Sequence, residues 1–290
     1  MSQQFQVIRV SNEGSSSPFI ARLFITMMEF RDQLFLLDVE EPQKHILKSH
    51  FDEQYRPMYE AALAARDAAI KVKELIGSHL VDIENGKLVR YGPNQFAILD
   101  SINIPLSQAV DQLIDQSFIA TKVGLQSILR DPLQLDICFF FKDDKFFEKG
   151  ISDLFVSGES DLAKYLKIVR KNWHSKLRDL RVDHEHKGWS LGNIEYRLIE
   201  QNKIEVILPK VLDMNVNEFA QKTTNRVLLF IENMMIFALQ RYCNRFPIYV
   251  VEIPKEFRDP KKPLRFSLAA KGLDNSPPWV ISYLEEMDFV

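Results

Sequence analysis

Glycine is scarce in this chain, ten in 290 residues. It builds none of the cradles that phosphate-handling folds need. There is no GxxxxGK[ST] loop and no GxGxxG after a strand, which argues against P-loop hydrolysis and dinucleotide binding. HExxH, paired CxxC and GxSxG are missing as well, so zinc-protease and α/β-hydrolase chemistry have no foothold. No cofactor is expected from the motifs. Only two cysteines occur, Cys138 and Cys243, both in apolar runs. Without framework spacing they fit small core hydrophobes in a reducing compartment. A long uninterrupted apolar run is also lacking. PFIARLFITMMEFRDQLFLL, at 18–37, is broken by Arg22, Glu29, Arg31 and Asp32, whereas a membrane span needs about 20 mostly apolar residues. That segment reads as a buried helix. Residues 1–10 do not resemble a secretory leader, and the expected location is cytoplasmic, with no membrane partner.

What is present is the composition of an ordinary folded protein, 46% hydrophobic and 27% charged. The formal charge of −3 speaks against broad nonspecific binding to nucleic acid but leaves room for a local basic stripe. FQVIRV at 5–10 reads as a short strand. Ser17-Pro18 reads as a helix start, with the helix reaching about residue 37 and Pro42 blocking its extension. A weaker helix is expected over 43–56. A strong one runs from Pro57 through YEAALAARDAAIKVKELIG, with Gly77 as its stop. Asn85-Gly86 between alternating apolar residues predicts a hairpin. A further helix follows Pro105 to about Arg130. The segment 131–160 stays ambiguous between strand and helix, with Phe139–Phe141, Phe146 and Phe147 expected to be buried. Beyond Gly188 the period becomes two, and Gln201-Asn202 marks a second hairpin. Asn215 with Glu218 resembles a capping box opening a helix to about Cys243, apolar almost all round at 227–239. The expected fold is mainly α, a helical bundle of about five long helices with inserted β-hairpins. It is divided as a bundle domain over 1–245 and a small C-terminal appendage over 246–290.

One stretch concentrates chemistry. RDLRVDHEHKGW, 178–189, holds two arginines, two histidines and three carboxylates. It ends a helix whose Leu162, Leu166, Val169, Trp173, Leu177 and Leu180 form one apolar stripe. Lys167, Lys171, His174, Arg178 and Arg181 follow the same spacing about a quarter-turn away. One reading is a solvated helix end, its cations favoured by the negative end of the helix dipole. A metal site from Asp183, His184, Glu185 and His186 is disfavoured, because a helix points the two histidines apart and the arginines would repel a cation. The third reading is metal-free cleavage of a phosphodiester. That chemistry needs an acid/base group that titrates near neutrality and a cation for the charged phosphorane, roles suited to His and Arg.

Arg181-Val-Asp-His-Glu-His186-Lys-Gly-Trp189 resembles the Arg-x4-His motif of the HEPN superfamily, with its trailing Gly-aromatic pair. Arg178-Asp179-x4-His184 also fits, and keeps the polar second residue that Val182 lacks in the other register. The resemblance covers about twelve residues and the flanking helix, and both registers stay open. It implies a helical bundle that binds or cleaves RNA without metal, as a homodimer with two motifs facing across a cleft. It also implies a toxin–antitoxin or phage-defence setting, with an antitoxin-like protein partner. In the catalytic form, His184 or His186 would be acid/base and Arg178 and Arg181 would stabilise the phosphorane, with Asp179 orienting a neighbour. The rival expectation is a non-catalytic structural or interaction protein. There, Asp179, Asp183 and Glu185 neutralise the arginines and Trp189 packs as a staple.

Overall fold

A computed structural model describes residues 17–25, 27–28, 31–32, 41–93, 95–131, 133–199, 203–244, 247–259 and 264–270. The expected strand at 5–10 and the tail beyond residue 270 lie outside them. The fold is mainly α, with strands paired in antiparallel two-stranded ribbons. The chain forms two compact units. One comprises Met1–Glu53, Leu129–Leu135 and Glu232–Ser282; the other comprises Gln54–Ile128, Asp136–Ile231 and Tyr283–Val290.

The larger unit carries the stretch of interest. Its first element is the main part of a single helix, Glu41–Glu84, which runs through both Pro57 and Gly77. Neither residue acts as the boundary that local propensity suggested. Ile76, His79 and Ile83 are all buried at i+3 and i+4 spacing, so one packed face continues across Gly77 and outweighs its cost of about 1 kcal/mol. The stop is Asn85-Gly86 instead. Gly86 takes φ 71°. Its N–H bonds the Ile83 carbonyl at 3.0 Å, and the Lys87 N–H bonds that of Asp82 at 3.0 Å, the hydrogen-bond pair of a Schellman ending. The pair expected to turn a hairpin therefore caps a helix. The hairpin itself forms just beyond, with β1 (Val89–Gly92) against β2 (Gln95–Ile98).

The next helix, Asn103–Phe118, widens into a π-helical turn at Ile119–Gly124 and resumes as Leu125–Arg130. At Gly124 a Cβ would stand 2.4 Å from the Met58 Cα, so glycine is what allows the two backbones to approach. The ambiguous segment becomes a short 3-10 turn, Cys138–Phe141, and a helix, Asp144–Val156, capped by Asp143 accepting from the Phe146 N–H at 3.1 Å. Phe140, Phe141 and Phe147 are buried, but Phe146 is about half exposed. Amphipathic helical spacing directs adjacent aromatics to different faces.

The helix Ser160–Val169 likewise passes through a π turn, Arg170–His174, into Ser175–Lys187. The wider turn sets Trp173 and His174 side by side against the core, so His174 leaves the basic stripe where a regular helical period placed it. Two ribbons follow, β3 (Glu195–Ile199) with β4 (Lys203–Ile207) and the short β5 (Lys210–Val211) with β6 (Met214–Asn215). Between β5 and β6, Leu212 and Asp213 take φ 50° and 66°. That backbone normally favours Gly or Asn, and it costs an ordinary L-residue roughly 1–2 kcal/mol. Asn215 caps the long helix Val216–Cys243, accepting from the Glu218 N–H at 2.9 Å.

The smaller unit holds the distal part of that helix and the ribbon β7 (Ile248–Glu252) with β8 (Phe266–Ala270). Tyr249, Val251 and Ala269 form an apolar cluster on the ribbon. Glu232 and Asn233, set among apolar neighbours, are fully buried there. Glu232 is paired with both Arg22 and Arg265. The Arg22 Nε donates to it at 2.8 Å, and Arg265 donates onward to Glu252 at 3.0 Å and Asn233 at 3.1 Å. Burying a carboxylate is tolerated only when it is paired and hydrogen-bonded in this way.

Candidate functional site

The stretch 178–189 forms the end of the helix Ser175–Lys187, and Gly188 terminates it at φ 69°. The N–H groups of Gly188 and Trp189 both reach back to the Asp183 carbonyl, satisfying an acceptor that the helix end leaves open. Leu177 and Leu180 are buried on the inner face and fix which side chains can point outward.

The two arginines are held differently. Arg178 donates to Asp179 Oδ1 from Nε at 3.1 Å and from Nη2 at 3.0 Å, and to the Lys142 carbonyl at 3.5 Å. Arg181 meets two carboxylates, Asp115 Oδ1 at 3.3 Å and Glu185 Oε1 at 2.5 Å. Its guanidinium also lies 4.6 Å from the centroid of the Phe118 ring, a cation–π stack. Arg181 is therefore held in place by contacts within the chain.

The histidines divide as well. His184 is about a quarter exposed, with Nε2 3.4 Å from Asp111 Oδ1 and its ring edge-on to Trp189 at 6.4 Å. Its Nδ1 and Asp111 Oδ1 are buried without hydrogen-bond partners among the described residues. Burial holds the Asp111 carboxyl above its usual range; His184 opposes the shift and Asp115 adds to it. His186 is 70% exposed, with Nε2 3.9 Å from Glu185 Oε2.

Arg181 and His184 thus turn to one acidic face, Asp115 and Asp111, on the helix Asn103–Phe118. They are three residues apart, about 60° on the helix wheel, whereas Arg178–His184 and Arg181–His186 are separated by about 120° and 140°. The pairs that the sequence motif couples are not the pair the fold brings together. Arg178, Asp179 and His186 lie on other arcs; Asp179 and His186 are exposed, and Arg178 is about as part-buried as Arg181. Asp111 and Asp115 are not singled out by the sequence motif. Their signal was two carboxylates at i,i+4 beside an apolar stripe, which also describes any solvated helix face.

His174, one turn before the stretch, is a further ionisable group of this helix. It sits among Phe118, Phe140, Phe141, Trp173 and Phe230, with the Phe140 centroid 4.5 Å away. Burial first, then the positive charges of Arg178, Arg170 and Lys122, push its pKa down to about 3. It is neutral at pH 7, and its Nε2 has no hydrogen-bond partner among the described residues.

Among the described residues, no cluster of three or more His, Cys, Asp or Glu is arranged to hold a metal ion, and no helix is long and apolar enough to cross a membrane. Compared with family models, curated proteins and solved structures, the chain matches none.

Proposed function

We propose that this chain is a HEPN-like helical protein that acts on RNA by binding it rather than by cleaving it. The observation that carries the reading is the division of the Arg/His array. Arg181 and His184 are turned onto Asp115 and Asp111, while Arg178, on another arc, is bonded to Asp179 and the Lys142 carbonyl and His186 is 70% exposed. In-line phosphodiester cleavage needs an imidazole and a guanidinium converging on one phosphate. A phosphate-reading edge needs only accessible cations, and these position RNA without carrying sequence information. A homodimer would double that edge.

The test is fluorescence anisotropy of a labelled single-stranded RNA at low and raised salt. Binding is expected to weaken with salt, and Arg178→Ala should flatten the salt slope by about 0.7 for the one cation lost. Absence of binding at low salt overturns the proposal. Cleavage in the presence of a chelator, lost on His184→Ala or His186→Ala with the fold intact, replaces it with the ribonuclease reading.

A second reading has its own support. Both arginines are bridged to carboxylates of the same chain, and Trp189 packs edge-on against His184. On that view the helix end is a clasp in a non-catalytic interaction protein, and RNA binds no better than to an unrelated acidic protein.

A further inference from the structure

A second feature of the larger unit is independent of the Arg/His array. A cavity of about 160 Å³ opens between the π-helical turn, the β5–β6 ribbon and the start of the Val216–Cys243 helix. Its apolar walls include Trp173, Leu177 and Phe219, all nearly fully buried. A dry cavity of about 150 Å³ accommodates a benzene-sized ring, so the space fits one ring or a similarly compact apolar body.

The polar groups facing it are unusually uniform. Asn172, Lys176, Thr223 and Arg226 line the cavity, and none of its described lining residues is acidic. Thr223 is only 4% exposed, yet its hydroxyl has no hydrogen-bond partner among the described residues. The neighbouring Thr224 bonds back to the Ala220 carbonyl at 2.9 Å, the usual fate of a helical hydroxyl. The indole N–H of Trp173, 8% exposed, also has no partner among the described residues, and Lys176 is exposed without an ion pair there. Two donors thus line the same space beside two cations.

Backbone strain occurs at the same place. Leu212, which holds φ 50° at the tip of the β5–β6 ribbon, is one wall of the cavity. Strained backbone of this kind clusters where a ligand is clamped. The wider helical turn that presents Asn172 and Trp173 is the second local irregularity on its rim.

We infer that this cavity binds a small organic anion: a single ring or equally compact apolar body carrying one carboxylate or phosphate. The apolar part fills the space over Trp173, Leu177 and Phe219. The anionic group is received by Lys176 and Arg226, with the Thr223 hydroxyl and the Trp173 N–H donating to it.

Isothermal titration of the full chain with benzoate, phenyl phosphate, benzyl alcohol and inorganic phosphate tests this. One of the two ring-bearing anions is expected to bind one to one, and which of them does identifies the anionic group. Benzyl alcohol and inorganic phosphate should each bind at least about tenfold more weakly. Lys176→Gln and Thr223→Val should each reduce the affinity severalfold with the melting temperature unchanged. RNA affinity should not move, because neither residue belongs to the Arg178–His186 edge. Leu212→Gly should raise the melting temperature while weakening the anion. Three results overturn the inference: no binding of either anion up to about 10 mM, equal binding of benzyl alcohol, or equal binding of inorganic phosphate.

Discussion

Two regions of this molecule solve the same problem, an arginine beside a carboxylate, in opposite ways. In the smaller unit, Arg22, Glu232 and Arg265 are fully buried and satisfied by one another, by Asn233 and by Glu252. In the larger unit, Arg178 and Arg181 pair with Asp179, Asp115 and Glu185 at a partly exposed helix end. The geometries are alike, yet the energetics differ by burial. A buried member stripped of its partner becomes an uncompensated charge in a poorly polarisable medium, while an exposed one is rehydrated. Ion-pair geometry alone therefore does not rank these contacts; solvent access does. The same contrast separates a structural cluster from side chains still available to a ligand.

The largest effect is expected at the buried cluster. Glu232→Ala should cost about 3–5 kcal/mol in denaturant unfolding, because it removes a charged partner from each of the buried Arg22 and Arg265. The combined replacement Arg22→Met/Glu232→Leu/Arg265→Met should recover most of that loss. If Glu232→Ala costs no more than an exposed pair does, burial is not what distinguishes the two regions.

His174 comes next, since it carries the consequence of burial into the larger unit. Its folded pKa, about 3, lies below the unfolded value of about 6.5. Below pH 6.5 the unfolded chain takes up a proton that the folded chain refuses. Stability is therefore full above that pH and falls towards pH 3, by at most about 1.4 kcal/mol per pH unit from this group. His174→Phe should flatten the dependence in that window, measured as unfolding midpoints from pH 7 to 4. An unchanged slope would mean that the ring is protonated in the fold.

Arg181→Ala should cost about 1 kcal/mol, through the part-exposed pairs with Asp115 and Glu185 and the stack on Phe118. Smallest of all, Arg178→Ala and His186→Ala should each change stability by under about 0.5 kcal/mol, while together lowering RNA affinity. A stability loss at Arg178 as large as that at Arg181 would favour the clasp over the phosphate-reading edge.

Local chemistry carried much of this architecture. The β3–β4 ribbon, the Asn215 cap, the Gly188 stop and the buried Leu162–Leu180 stripe follow from period, capping and left-handed glycine, all of which act within a few residues. The errors were also local signals, overruled from a distance. Pro57 and Gly77 failed to end a helix whose buried face continued past them, and Asn85-Gly86 served as a helix stop in place of a hairpin turn.

The twelve residues 178–189 were enough to place an Arg- and His-rich array at the end of a core helix, because helix formation and termination are short-range. They could not decide which pairs meet. That depended on Asp111 and Asp115, some seventy residues earlier in the chain and brought opposite by helix packing. Nor could they show that a π turn buries His174, or that a strained Leu212 closes a donor-lined cavity against Trp173. Periodicity reports which face of a helix is apolar, but partner identity and solvent access are set by the elements that pack against it. In this protein, those two quantities separate a structural arginine from an available one.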